Sequence, residues 1–190
     1  MCGHAHSIAC VDLGTTLYSK NHYLALSNFL ARQQNWQHRK RTPLTDSQRY
    51  WLRGNQSLTK QLIQHSNGNF DLEVIREIRA IPFAHEARVL GLPFFRSCLI
   101  REVVLFCNDQ AVVFARSIIS DRAIKASQHQ LTKLGNIPLG HLLFNQARVN
   151  LETRQIMRFK LKEENHFGRR TLYQLNGEDI LVSEFFLMSL

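Results

Sequence analysis

Glu184 lies inside Asp179-Ile180-Leu181-Val182-Ser183-Glu184-Phe185-Phe186-Leu187, an almost wholly apolar run. Alternate side chains of a strand share a face, so Glu184 falls in line with Ile180, Val182 and Phe186. A carboxylate in such a row is costly unless a cation, a polar cavity or a proton accompanies it. Arg101 is the same anomaly with opposite sign, inside Cys98-Leu99-Ile100-Arg101-Glu102-Val103-Val104-Leu105-Phe106. A third charge in apolar surroundings is Arg116, in Val113-Phe114-Ala115-Arg116-Ser117-Ile118.

The runs at 95–107 and 111–119 are joined by Asn108-Asp109-Gln110 and read as an antiparallel hairpin. A turn centred near Asn108-Asp109 pairs positions summing to about 217, which sets Arg101 opposite Arg116. Two facing guanidiniums repel unless an anion lies between them. A planar guanidinium grips a carboxylate through two hydrogen bonds. The pattern therefore predicts a pocket for a small carboxylic acid. A backbone N–H of the loop Asn136-Ile137-Pro138-Leu139-Gly140 would hold another carboxylate oxygen, with Glu184 near the reacting end. A structural Arg–Glu ion pair accounts for the same buried charges; Arg116 is then a rim residue and the loop a plain connector.

The elements that must position these residues follow from pattern. Residues 17–35 carry apolar residues at helical spacing. Beyond Pro43, Thr45 or Asp46 caps a short helix through Arg53, ended by Gly54-Asn55, and Ser57 caps another. Residues 71–79 read as a strand. Pro82 and Gly91-Leu92-Pro93 bracket a segment of open type. Ser127–Leu134 reads as a helix stopped by Gly135, and His141–Phe144 as one helical turn. Residues 147–162 form a long strand. Gly168–Leu175 and Asp179–Leu187 flank Asn176-Gly177, a type I′ hairpin signal. Helices first, then consecutive strands, imply an α+β fold: an antiparallel β-sheet with helices packed on one side.

The chain has 190 residues, 44% hydrophobic and 21% charged, which suits one domain. No apolar stretch reaches the ~20 residues of a membrane span, and no signal peptide is evident, so a cytoplasmic protein is expected. The formal charge of +9 invites a nucleic-acid reading. The local cluster His38-Arg39-Lys40-Arg41 reads as a solvated loop, and without RNA motifs or finger spacing no nucleic acid is expected. Cys98 and Cys107 read as small core residues. Cys2, His4, His6 and Cys10 could bind metal adventitiously; no functional metal is expected. There is no P-loop, Rossmann glycine pattern or nucleophile elbow.

At these residues the sequence resembles the chorismate pyruvate-lyase family over about Thr45 to Leu187. The likeness rests on Ser57-Leu58-Thr59-Lys60, Ile100-Arg101-Glu102-Val103-Val104-Leu105, Ala115-Arg116-Ser117, Lys133-Leu134-Gly135-Asn136-Ile137-Pro138-Leu139-Gly140, Phe167-Gly168-Arg169-Arg170 and Leu181-Val182-Ser183-Glu184-Phe185-Phe186-Leu187. Leu58 stands where the family's S-M-T motif has methionine, and Phe167 where W-G-R-R has tryptophan.

The resemblance implies a cofactor-free lyase that converts chorismate to 4-hydroxybenzoate and pyruvate for ubiquinone. It implies Arg101 on the ring carboxylate, Leu139 giving a backbone contact, Glu184 at the hydroxyl-bearing end, Arg116 on the enolpyruvyl carboxylate and Leu58 in the binding wall. Residues 1–44 would be an N-terminal extension and helix, and 45–190 the catalytic domain of a monomer. Leu52–Ser66 would be a flap over the product. A small-carboxylate-sensing domain of the same fold is the alternative, although the 45 or so residues upstream are short for a DNA-binding unit.

Overall fold

A computed structural model describes residues 20–38, 43–146 and 148–190. The string Cys2, His4, His6, Cys10 and Arg39-Lys40-Arg41 of the basic cluster lie outside them. Helix α1 (Lys20–Ala31) stops at Ala31, before the residue 35 that spacing suggests, and a two-residue strand β1 (Gln37–His38) follows. The caps lie where the sequence places them. Gln48 N–H donates to Thr45 Oγ1 and Thr45 N–H donates back to Gln48 Oε1, a capping box opening α2 (Asp46–Arg53). Ser57 caps α3 (Leu58–His65).

Strand β2 (Phe70–Ala80) leads to α4 (Ala84–Val89), which settles the open segment as helix. β3 (Cys98–Cys107) and β4 (Gln110–Ile119) form the expected hairpin, with Asn108 and Asp109 at φ of 50° and 61°. The helix expected at 127–134 lies earlier, as α5 (Asp121–Ala126), and only a 3₁₀ turn, Gln130–Thr132, follows. Side-chain capping decides this. Ser120 Oγ accepts from Ala123 N–H at 3.1 Å directly after β4, and Ser127 Oγ–H donates back to Ile124 O at 2.7 Å. Gln128 and His129 then take positive φ of 51° and 61°.

α6 (Leu139–Gln146) is two turns where one was expected. β5 (Arg148–Leu161), β6 (Glu164–Leu175) and β7 (Glu178–Phe186) complete the chain. Asn176 and Gly177, at φ of 49° and 86°, make the last hairpin turn.

These strands form one antiparallel sheet, ordered β1-β5-β6-β7-β4-β3-β2. Helices cover both of its faces, not one. Trp51, Leu52, Leu58 and Leu62 of α2 and α3 pack on Val103 and Leu105, and Ala123, Ile124, Leu139 and Leu143 of α5 and α6 pack near Leu99 and Val182. Tyr23 and Leu30 of α1 pack on Val104, Phe114 and Phe185, while Leu90 after α4 meets Ile100 and Ile118. The central strands are apolar almost without alternation, so both faces need cover. Among the described residues no helix is long and apolar enough to cross a membrane.

The α1/α4 face holds a buried ionic cluster. Glu102 accepts from Ser27 Oγ at 2.7 Å, from Arg76 at 2.9 and 3.1 Å, and from Arg116. Arg116 also grips Glu86 through two bonds of 2.7 and 3.0 Å. Burial alone would raise the Glu102 pKa, but bonds from Arg76 and Ser27 and the charge of Arg116 hold it below its ordinary 4.5. Its folded form is thus more acidic than its unfolded form. The stability it contributes is complete above about pH 4.5 and is lost as pH falls through the depressed value. Glu102→Gln should cost about 3–5 kcal/mol in urea unfolding at neutral pH and flatten the acid limb of the stability curve. An unchanged acid limb would contradict the pairing.

Candidate active site

Two β-bulges decide which charges meet. Near the β3–β4 turn the register is as expected, with Cys107 opposite Gln110 and Phe106 opposite Ala111. Val112 is then an extra residue, and from Leu105 opposite Val113 onward the pairing is shifted by one. Arg101 therefore faces Ser117, and Arg116 faces Glu102. A slip of one residue turns a side chain to the other side of the sheet. The expected Arg101–Arg116 pair does not form, and Arg116 belongs to the cluster with Glu86 and Glu102.

The second bulge lies between Val74 and Arg76 on β2, leaving Ile75 unpaired. Continued without it, the register would set Arg76 against Arg101. With it, Glu77 faces Arg101 and Arg76 faces Glu102. Arg101 is 2% exposed. Its Nη1 donates to Glu77 Oε2 at 2.7 Å, and its Nη2 to the carbonyls of Gly135 at 2.7 Å and Ile137 at 3.3 Å. The guanidinium thus fastens the 135–140 loop to the sheet.

Glu184 has its own cation. The Asn176-Gly177 turn sets Arg169 directly opposite it. Arg169 donates Nε to Glu184 Oε2 at 2.5 Å and Nη2 to Oε1 at 3.3 Å, and Nη1 to Trp51 O. Burial by itself would lower the Arg169 pKa, but the charge and hydrogen bonds of Glu184 raise it. Arg154, fully buried, donates Nε to Thr171 Oγ1 at 2.9 Å and Nη1 to Gly54 O at 2.5 Å. Two arginines of the sheet therefore hold the backbone of the α2–α3 segment.

Arg101 and Glu184 line one cavity, together with Leu58 and Thr59 of α3, Leu139 and Phe144 of α6, and Tyr173. The registers Arg101–Ser117–Val182 and Val103–Ala115–Glu184 put the two charges two strands and one rung apart. Standard sheet spacings then separate their Cα atoms by about 12 Å. The floor between them is small side chains: Val103, Ala115, Ser117 and Val182. The roof is two helix starts in close contact. A Cβ on Gly140 would sit 3.5 Å from Thr59 Oγ1 and 3.6 Å from Ser57 Oγ. The space is narrow, about 50 Å³, well under the roughly 300–1,000 Å³ of small-molecule sites.

Tyr173 adds a neutral donor to the wall. Burial first, and the Glu184 charge second, push its phenol up to about 12, against the opposing pull of Arg169 and Arg154. It stays protonated at neutral pH.

The family model described as "Chorismate lyase" matches residues 30–190. The chain belongs to the chorismate lyase family. A relative from Methylococcus capsulatus named "Probable chorismate pyruvate-lyase" is 35% identical over 152 residues, covering 72% of this chain and 92% of that protein. One of the same name from Ralstonia nicotianae is 38% identical over 116 residues, 61% of this chain and 57% of that one. GntR-family transcriptional regulators also overlay. That from Enterococcus faecalis has a TM-score of 0.43 and 16% identity over 63% of this chain and 91% of its own. That from Bacillus cereus has 0.48 and 8% over 63% and 92%.

In this chorismate lyase family member the cavity gathers Arg101, Glu184, Leu58 and Leu139 and leaves out Arg116. Glu77, Arg169 and Tyr173 escaped the sequence reading. Arg169 had a signal: a two-residue turn at Asn176-Gly177 pairs positions that sum to 353, which joins 169 to 184.

Arg169→Met leaves a buried carboxylate without its cation and should cost about 3–5 kcal/mol in urea unfolding. Adding Glu184→Leu should restore most of that loss. Additive losses in the double variant would contradict a coupled pair.

Proposed function

We propose that this protein converts chorismate to 4-hydroxybenzoate and pyruvate without a cofactor, an early step of ubiquinone biosynthesis. The observation that carries the reading is the placement of Arg101 and Glu184 in one small-floored cavity. Arg101, with a backbone N–H at Leu139, takes the ring carboxylate. Glu184, held by Arg169, meets the hydroxyl across the ring. Leu58 packs on the ring from above.

The reaction is an elimination. The ether C–O bond breaks, and its electron pair leaves on the enolpyruvyl oxygen. The hydrogen on the neighbouring ring carbon departs as a proton, its pair completes the aromatic ring, and the released enolate takes up a proton on its methylene carbon to become pyruvate. Aromatisation supplies the driving force, so the protein's task is orientation and stabilisation of the departing negative charge. Arg116 is on the far face and cannot serve the enolpyruvyl carboxylate. The groups left on the cavity wall are the Tyr173 hydroxyl and the N-terminal ends of α3 and α6, whose dipoles favour an anion.

The narrow cavity requires the roof to part for a ring acid. The short α2–α3 segment, held by single bonds from Arg154 and Arg169, and the 135–140 loop, held by Arg101, are the parts able to move. Opening would then limit product release.

Incubation with chorismate, followed by 4-hydroxybenzoate absorbance, should show turnover. Excess enzyme should give a first turnover faster than the steady state. Arg101→Ala should lower kcat/KM by at least roughly 100- to 1,000-fold with the fold retained by circular dichroism. Binding without conversion would describe a sensor instead, and full activity in Arg101→Ala would end the assignment.

A further inference from the structure

The turn before β3 carries aromatic side chains where turns ordinarily carry small polar ones. Arg96 N–H donates to Pro93 O at 3.0 Å, so Phe94 and Phe95 occupy the two corners. Corners favour Gly, Asn, Asp, Ser or Pro. Phe94 is 57% exposed, Phe95 81% and Ile81 58%. They share one rim of the sheet. Ala80 pairs with Cys98 and Leu99 with Ile119, so the chain after β2, before β3 and after β4 ends together.

The exposed charges of these segments that lie outside an ion pair are positive. Arg88, Arg96 and Arg122 are exposed. Of the acids in these segments, Asp121 is taken by Arg79 at 2.5 Å, and Glu86 is buried against Arg116 at 2.7 Å. The segments that meet at this rim therefore carry three exposed arginines in excess of their carboxylates.

We infer that this rim docks on the headgroup layer of an anionic lipid bilayer. Phe94 and Phe95 enter the interface, and Arg88, Arg96 and Arg122 lie on the lipid phosphates. Aromatic tips with a cationic border suit that layer, where one side is apolar and the other charged. Size favours a bilayer over a protein partner. A stable protein interface covers about 800 Å² on each side, more than three projecting side chains supply, whereas a bilayer accepts a single protruding tip. The formal charge of +9 adds longer-range attraction. Docking does not depend on the reaction in the cavity.

The test is pelleting of the full chain with vesicles of phosphatidylglycerol and phosphatidylcholine in equal parts, beside vesicles of phosphatidylcholine alone. The chain should pellet with the first and not the second, less so as salt rises. Phe94→Ser with Phe95→Ser should weaken pelleting roughly tenfold, with the melting curve and chorismate turnover unchanged. Absence of pelleting with the anionic vesicles, or full pelleting of the double variant, overturns the inference. So does ultracentrifugation in which the two serines dissolve a dimer of the unaltered chain, since a second copy would then be the occupant.

Discussion

A guanidinium can be buried only if acceptors surround it, and this chain buries Arg101, Arg116, Arg154, Arg169 and Arg170. The acceptors it recruits shape the molecule. Carboxylates come from neighbouring strands and from α4, and carbonyls come from the α2–α3 segment and the 135–140 loop. Arg169 uses Glu184 for charge and Trp51 O for attachment. Arg101 uses Glu77 for charge and the carbonyls of Gly135 and Ile137 for attachment. The two cavity charges are therefore neutralised from the flanking strands, and the covers of the cavity hang from Arg101 and Arg169.

The sheet separates two kinds of buried charge. On the α1/α4 face Glu102, Arg76, Arg116 and Glu86 close on one another in a set that ties helices to strands. On the other face Arg101 and Glu184 are neutralised by different partners and meet across open space. The bulges at Ile75 and Val112 hold this arrangement, because losing either one would turn cations toward cations.

Much of this was legible in residues. Glu184 and Arg101 stood out because a charge in an apolar strand row demands a partner. The caps at Thr45 and Ser57 and the Asn176-Gly177 turn carried their own chemistry, and element order gave the α+β class. The face of Arg116 was not legible. Val112 and Ile75 are ordinary β-branched strand residues, and nothing in their type marks an extra position. The misplaced α5 has a similar cause, since Ser120 and Ser127 both look like caps in sequence, and only the folded chain shows Ser120 Oγ accepting from Ala123 N–H while Ser127 Oγ–H donates back to Ile124 O. One-sided helix cover failed because the central strands are apolar on both faces, a pattern that was present and under-read.

The most direct measurement is a crystal structure of the protein with 4-hydroxybenzoate. Its carboxylate should lie within hydrogen-bond reach of Arg101 and its phenolic oxygen against Glu184, over Ala115 and Ser117. A product seated on the α1/α4 face, or turned so that its carboxylate faces Glu184, would contradict the convergence of these two charges on one small acid.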